Sequence, residues 1–266
     1  MFVSAFVTSL LLAAAADGAP TAIQPTGKWV VDWSDARCTA QIPFGEKDDQ
    51  QFVLIKASPL GETHHLYFIR NGKMRTATQY EARLTIGDQP SELVTSLTYG
   101  NDKRIIELVN LSKAQSEKLR TSYTVSLGHF GKSKTYALPN FPKVVAALEK
   151  CQKDLAASWN WTGSKVQTHA NGNLLDVFKS NDYPAQANMN NMSGIVTLAI
   201  LVDEKGKVAD CTVEQPSGVA VLDAQSCALV TVRAKFEPAR DQAGTAIKDT
   251  LVQRINWRSG ERGRSR

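Results

Sequence analysis

The side chains best placed to do chemistry are four cysteines, Cys38, Cys151, Cys211 and Cys227. No C-x-x-C occurs among them, so the spacing suits neither a redox dithiol nor a zinc ribbon. In an exported chain an even count favours disulfides. Cys211 falls in a strand-like run, Lys207 to Glu214, and Cys227 in a run of helical spacing, Leu222 to Lys235. A bridge between them would staple helix to sheet, closing a loop of about 15 residues and contributing about 3 kcal/mol. Cys38 opens an early strand and Cys151 lies on the apolar stripe of a long helix, so a second bridge would tie the start of the first domain to its end. His64 and His65 are neighbours on a strand, point to opposite faces and cannot share a metal; an edge-strand surface is their expected role. His129 and His169 sit beside Gly or Asn in expected loops, poor positions for a ligand or base. Asp210 and Glu214 read as solvent-facing charges on a strand. With no G-x-S-x-G, P-loop, G-x-G-x-x-G or H-E-x-x-H, we expect no catalytic residue, metal or cofactor, and a protein that is not an enzyme.

The elements that must position these groups fall into two units. At 266 residues, 42% hydrophobic and 21% charged, the chain has the composition of an ordinary two-domain globular protein. The formal net charge of +5 and pI near 9.0 are spread along the chain, apart from the arginines of the tail. Nucleic acid is therefore not expected as a partner. Residues 1–18 form an apolar leader ending in A-x-A choices, read as a cleaved signal peptide; at about 15 apolar residues it is short for a membrane span. An inner-membrane anchor is the alternative. Asn110, Asn160 and Asn191 open N-x-[ST] sequons, which matter only in a eukaryotic secretory pathway.

Residues 28–158 contain strand-like runs at 28–33, 37–44, 51–56, 65–70, 81–86, 92–99 and 104–109, parted by turn residues such as Asn71-Gly72 and Gly87-Asp88. That regularity predicts an antiparallel sheet or sandwich. Ser112 caps a short helix to Leu119, two further runs cover 122–127 and 134–138, and Phe141 to Trp159 carries an apolar stripe of Phe141, Val144, Leu148, Cys151 and Leu155. Residues 159–181, with Gly163 and Asn171-Gly172-Asn173, read as a linker, with a short lead-in helix at Leu174 to Phe178. We recognise no known family in residues 28–158.

The unit at 182–258 opens on Tyr183-Pro184, a dipeptide suited to the first turn of a short helix that ends at Gly194. Ile195 to Val202 is an apolar β-branched strand, Asp203-Glu204-Lys205-Gly206 a hairpin connector, and Lys207 to Glu214 the returning strand. Pro216-Ser217-Gly218 ends it, and Leu222 to Lys235 is helical. Phe236-Glu237-Pro238-Ala239 and a turn to Gly244 lead into a last strand, Ala246 to Trp257. The order is β-β-α-β. The fold class expected for the whole chain is α+β, an antiparallel β-rich domain closed by a helix and followed by this small domain. Residues 259–266 form a basic tail.

In this order Tyr183-Pro184, Gly194, Val202 to Val208, Ser217-Gly218, Leu222-Asp223, Phe236 to Ala239 and Gly244 resemble the C-terminal domain of TonB, the periplasmic energy transducer of Gram-negative bacteria. The resemblance covers under a third of the chain. It implies a periplasmic protein that captures the TonB box of an outer-membrane TonB-dependent transporter, or a segment of another envelope protein, by adding it as a strand at the sheet edge. The residues it implies for partner binding are Tyr183, Pro184, Ile247, Lys248, Thr250, Val252, Gln253 and Arg254. For Ile247, Leu251 and Ile255, completing the core is the competing role. A TonB transducer also has an anchoring helix coupled to ExbB and ExbD and a proline-rich spacer; here the leader is short and the ten prolines are scattered. Any link to an ExbB/ExbD-type complex is therefore expected to be indirect. Two alternatives stand beside this reading: a non-transducing envelope module whose N-terminal domain binds the real ligand, and an exported enzyme seated in that domain.

Overall fold

A computed structural model describes residues 21–259; the leader expected over residues 1–18 and the tail arginines Arg262, Arg264 and Arg266 lie outside them. Nine antiparallel strands come first: β1 (Val30–Trp33), β2 (Cys38–Phe44), β3 (Gln51–Ala57), β4 (His64–Asn71), β5 (Thr78–Ile86), β6 (Glu92–Gly100), β7 (Arg104–Asn110), β8 (Thr124–His129) and β9 (Lys132–Ala137). They form one sheet in the order β1-β2-β3-β4-β7-β6-β5-β8-β9. Period-two burial explains its inner face: along β2, Cys38, Ala40, Ile42 and Phe44 are buried and the residues between them half-buried. Ile23 bridges Tyr136 of β9 and Pro25 bridges Phe44 of β2, so residues 23–25 draw the late and early strands together and the sheet curls.

Helix α1 (Lys113–Arg120) starts with a capping box between Ser112 and Gln115. Helix α2 (Phe141–Ser158) buries its predicted stripe on the inner face, and Cys151 bonds Cys38 there. One strand boundary shifts for a local reason. β8 runs on through His129, which we expected in a loop, because Phe130 and Gly131 both take positive φ (49° and 78°) in a two-residue hairpin. Such a turn ordinarily carries Asn or Gly at its first position, and Phe130 hid it.

The second unit contains α3 (Ala185–Met189), β10 (Gly194–Val202), β11 (Val208–Gln215), α4 (Ala220–Arg233), β12 (Ala239–Arg240), β13 (Ala246–Ile247) and β14 (Asp249–Trp257). Its sheet has the order β11-β10-β14, with α4 on one face and Cys211 bonded to Cys227 across the helix–sheet contact. The α+β class and the β-β-α-β order therefore stand. Gly206 has φ of 75°, and a Cβ there would lie 1.8 Å from the Phe236 carbonyl oxygen, so the hairpin connector admits glycine alone. The expected single strand from Ala246 to Trp257 is instead two strands. β13 pairs with β12, β14 pairs with β10, and Lys248 lies between them. The cause is Asp249, fully buried, whose carboxylate must find donors and takes the N–H groups of Ala170 and Thr250.

Residues 159–181 are packed rather than free. Trp159 is buried with its indole N–H donating to the Asp35 carbonyl at 2.6 Å, Thr168 and Asn171 bridge Arg240 and Glu237, and Ala170 and Val177 join the core. A single 3-10 turn, Leu174–Asp176, stands where a lead-in helix was expected.

The small sheet meets the large one on both of its faces. On the α4 side, Leu97 and the half-buried Tyr99 and Leu108 join its core; on the other, Leu201 joins the core of the large sheet. Asp210 and Glu214, expected in solvent, are buried there. Lys56 Nζ lies 2.6 Å from the Asp210 carboxylate and Arg37 Nε 3.0 Å, while Ser58 and Thr63 donate to Glu214. His64 and His65 are also buried, because β4 is an interior strand between β3 and β7 rather than an edge.

The Lys56–Asp210 pair generates a direct expectation. Removing one partner of a buried pair leaves an uncompensated charge, which costs about 3–5 kcal/mol, whereas exposed pairs contribute at most about 1 kcal/mol. In urea unfolding at pH 7, Asp210→Ala should lose stability on the first scale and Arg37→Ala, whose side chain is 58% exposed, on the second. Equal losses would mean that Lys56 is not sealed from water.

Candidate functional site

β14 is an outer strand of the three-stranded sheet. Which of its backbone groups face outward follows from two hydrogen bonds. The Thr250 N–H donates to the Asp249 carboxylate, and the Lys248 carbonyl accepts from the Asn160 side chain at 2.7 Å, so both turn away from β10. Alternation along an antiparallel strand then puts the N–H and C=O groups of Val252, Arg254 and Asn256 on the outer edge as well. The side chains of these three are exposed, while Leu251 and Ile255 pack on the core and Trp257 is buried.

Beside this edge runs a groove of about 660 Å3. One wall is Leu251, Gln253, Ile255 and Trp257; the other is the segment from Ala170 to Leu175 with Phe178 and Phe236. Trp257 is fixed at its end. The indole N–H donates to Ser226 of α4 at 2.8 Å, and the rings of Phe178 and Tyr183 stand edge-on to it at 5.5 and 5.3 Å. Asp182, next to Tyr183, is gripped by both terminal nitrogens of Arg233, which hold its carboxyl below the usual range.

The residues singled out from sequence divide accordingly. Val252, Gln253 and Arg254 lie on the open part of β14 or its groove. Lys248 and Thr250 each have a backbone edge group occupied, the carbonyl and the N–H respectively, and their side chains lie on Trp159: the Lys248 ammonium sits 4.8 Å over its ring, and the Thr250 hydroxyl donates to its carbonyl. Ile247 belongs to β13 and packs on the core. Tyr183 and Pro184 shape the end of the strand, with the Tyr183 hydroxyl on the Met192 carbonyl. Sequence reasoning missed Asp249, whose carboxylate takes the Thr250 N–H, and Phe178, which walls the groove.

The opposite edge is covered. Leu201 pairs with both Thr250 and Asp210, so with Thr250 turned outward the Leu201 groups go to Asp210, and the backbones of Cys211 and Val213 turn to the outer side of β11. There they meet Lys56, His65 and Tyr67 of the large sheet around a cleft of about 80 Å3. His65 Nδ1 lies 2.7 Å from the Asn110 side chain, whose amide reaches Asp223. Burial pushes the Asp223 carboxyl up and lowers both His64 and His65 to about 4. Among the described residues no group of three or more His, Cys, Asp or Glu side chains is placed to hold a metal, and no helix is long and apolar enough to cross a membrane.

Residues 179–259 match the family model described as Gram-negative bacterial TonB protein C-terminal. The match contains α3, both hairpin strands, α4 and all of β14, so the segment bearing the open edge is a TonB-type C-terminal domain. A comparison with curated proteins finds no match.

The covered edge sets a pH dependence. Burial raises Glu214 to about 7, although the Ser58 and Thr63 hydroxyls pull it back in part. Its folded value exceeds the ordinary 4.5, so its contribution to stability is full below 4.5 and is lost as pH rises to about 7. His64 and His65 act oppositely, with their contribution full above 6.5 and lost toward pH 4. In urea unfolding from pH 4.5 to 8, the stability of wild type relative to Glu214→Gln should therefore fall with rising pH, by up to about 1.4 kcal/mol per pH unit below 7. Parallel curves would show that Glu214 is ionised in the folded chain across that range.

Proposed function

We propose that this chain is an envelope protein of TonB type that binds an extended segment of an outer-membrane transporter, or of another envelope protein, by adding it as a strand to β14. The observation that carries this reading is the edge from Val252 to Asn256, which among the described residues offers unpaired backbone groups beside a groove in a domain whose other edge is covered. Main-chain hydrogen bonds along the edge supply affinity, and pockets for alternate side chains supply selectivity. The aromatic end of the groove, Phe178 with Trp257, suits an apolar side chain of the incoming segment. Arg254 and Gln253 tune its sequence preference.

The match over residues 179–259 supports an envelope setting and a transporter as partner. The disulfides are in keeping with an oxidising compartment such as the periplasm. We place the partner contact further along the strand than Ile247, Lys248 and Thr250, because the end of α2 already occupies that part of the edge. Binding rather than catalysis is also the reading for residues 28–158. Their one histidine–carboxylate pair, the half-buried His129 with Glu107, has its second ring nitrogen 3.1 Å from the Glu81 carbonyl, so both nitrogens are engaged by acceptors.

The test is an NMR titration of the deuterated full chain with TonB-box peptides from transporters of the same organism. Shifts should centre on the amides of Val252, Arg254 and Asn256 and on the Trp257 indole. Val252→Pro removes an outward N–H while sparing the ladder to β10, so it should keep the melting temperature within a few degrees and weaken the peptide at least tenfold. Shifts confined to β11, or none at millimolar peptide, would contradict strand addition at β14.

A further inference from the structure

The inner face of the large sheet carries a second site. Helix α2 covers that face along β1 to β3, and where Phe68, Ile105, Leu127 and Tyr136 converge the face opens into a cup of about 500 Å3. This lies within the roughly 300–1,000 Å3 of small-molecule sites. The strand register decides which side chains enter it. Phe68 pairs with Glu107 and Arg70 with Ile105 across β4 and β7, while Val125 pairs with Tyr136, Leu127 with Lys134 and His129 with Lys132 across β8 and β9. Directly paired residues share a face, and alternate residues return to it. Arg70, Lys132 and Lys134 therefore project from the same inner face as the core residues Phe68, Leu127 and Tyr136.

All three stand at the exposed end of a face otherwise patterned for an apolar core. Among the described residues none of the three forms an ion pair; Lys134 reaches only the side-chain oxygen of Gln51, at 3.2 Å. The one carboxylate lining the cup, Glu107, is held by His129. The mouth is therefore net cationic while the floor is aromatic and aliphatic. Phe130, 91% exposed in its left-handed conformation, and Tyr80 stand at the lip with ring centres 6.4 Å apart. The hairpin accounts for the backbone of Phe130 but not for a large apolar ring held in water, which a ligand body beneath it would cover.

We propose that this cup binds an amphipathic monoanion: an apolar chain or ring that fills the space over Phe68, Ile105 and Leu127, with one carboxylate or similar head drawn to Arg70, Lys132 and Lys134. The site is independent of the β14 edge and carries no covalent step. The same chemistry is presented by a free long-chain acid and by the head region of an anionic lipid.

Isothermal titration of the full chain with dodecanoate, below its micelle concentration, tests the assignment against dodecyltrimethylammonium as the cationic counterpart. Dodecanoate should saturate one site and the ammonium should not. Arg70→Gln/Lys132→Gln changes only exposed positions and should weaken dodecanoate about tenfold or more, two partly exposed charge contacts being lost. Thr98→Phe, which directs a ring into the cup from the position paired with Glu107, should abolish binding. Displacement of bound dodecanoate by anionic phospholipid vesicles would assign lipid as the source, and no displacement would assign the free acid. Equal binding of the ammonium, no saturable binding of dodecanoate, or unchanged affinity in the Arg70→Gln/Lys132→Gln variant would overturn the proposal.

Discussion

The buried pairing of Lys56 with Asp210 is the contact on which the rest of the arrangement depends. A three-stranded sheet backed by one helix is a small unit with two open edges and one uncovered face, and such sheets need further packing to persist. Here the large sheet supplies it. Leu201 closes the uncovered face, Asp210 and Glu214 bring charge and hydrogen-bonding capacity into it, and Lys56, Arg37, Ser58 and Thr63 satisfy them. Because each of these polar groups is costly without its partner, the docking geometry is specified rather than merely favoured. Its consequence is asymmetric: among the described residues the β11 edge is covered and the β14 edge stays open from Val252 to Asn256.

Much of this was legible in the sequence, and the physical reasons differ by element. The strands of the large sheet announced themselves because turn residues bracket period-two runs such as Cys38 to Phe44. The disulfides could be paired because Cys151 falls on a helical stripe that must face the sheet holding Cys38, and Cys227 on a helix that must cover Cys211. The order of elements over residues 179–259 was specific enough to resemble a family that the comparison then matched. What the sequence concealed was mostly what arises between segments distant in the chain. Asp210, Thr212 and Glu214 alternate as a solvated strand face would, and nothing local shows that Lys56, Ser58 and Thr63, some 150 positions earlier, come to meet them. His64 and His65 looked like surface residues for the same reason, since β4 becomes interior only when β7 pairs with it.

The candidate site shows the same division. The terminal strand was found, but its split at Lys248 was not, because the cause is the burial of Asp249 against Ala170 in a segment that reads as a linker. The split shortens the open edge and moves it toward Trp257. The N-terminal cup was invisible for a different reason: Arg70, Lys132 and Lys134 look like ordinary strand-end charges until the register turns them inward. The molecule thus holds two sites of different kinds, a backbone edge suited to an extended polypeptide and a cationic apolar cup suited to a small anion. The interface between the two sheets keeps them apart.

Docking on the large sheet covers one edge of the small sheet and leaves the other open. Residue-resolved amide hydrogen exchange of the full chain measures this directly. The amides of Val252, Arg254 and Asn256 should exchange fast, and those of Cys211 and Val213, on the outer side of β11, should exchange orders of magnitude more slowly. Fast exchange at Cys211 and Val213, or strong protection at Val252, Arg254 and Asn256, would contradict the account.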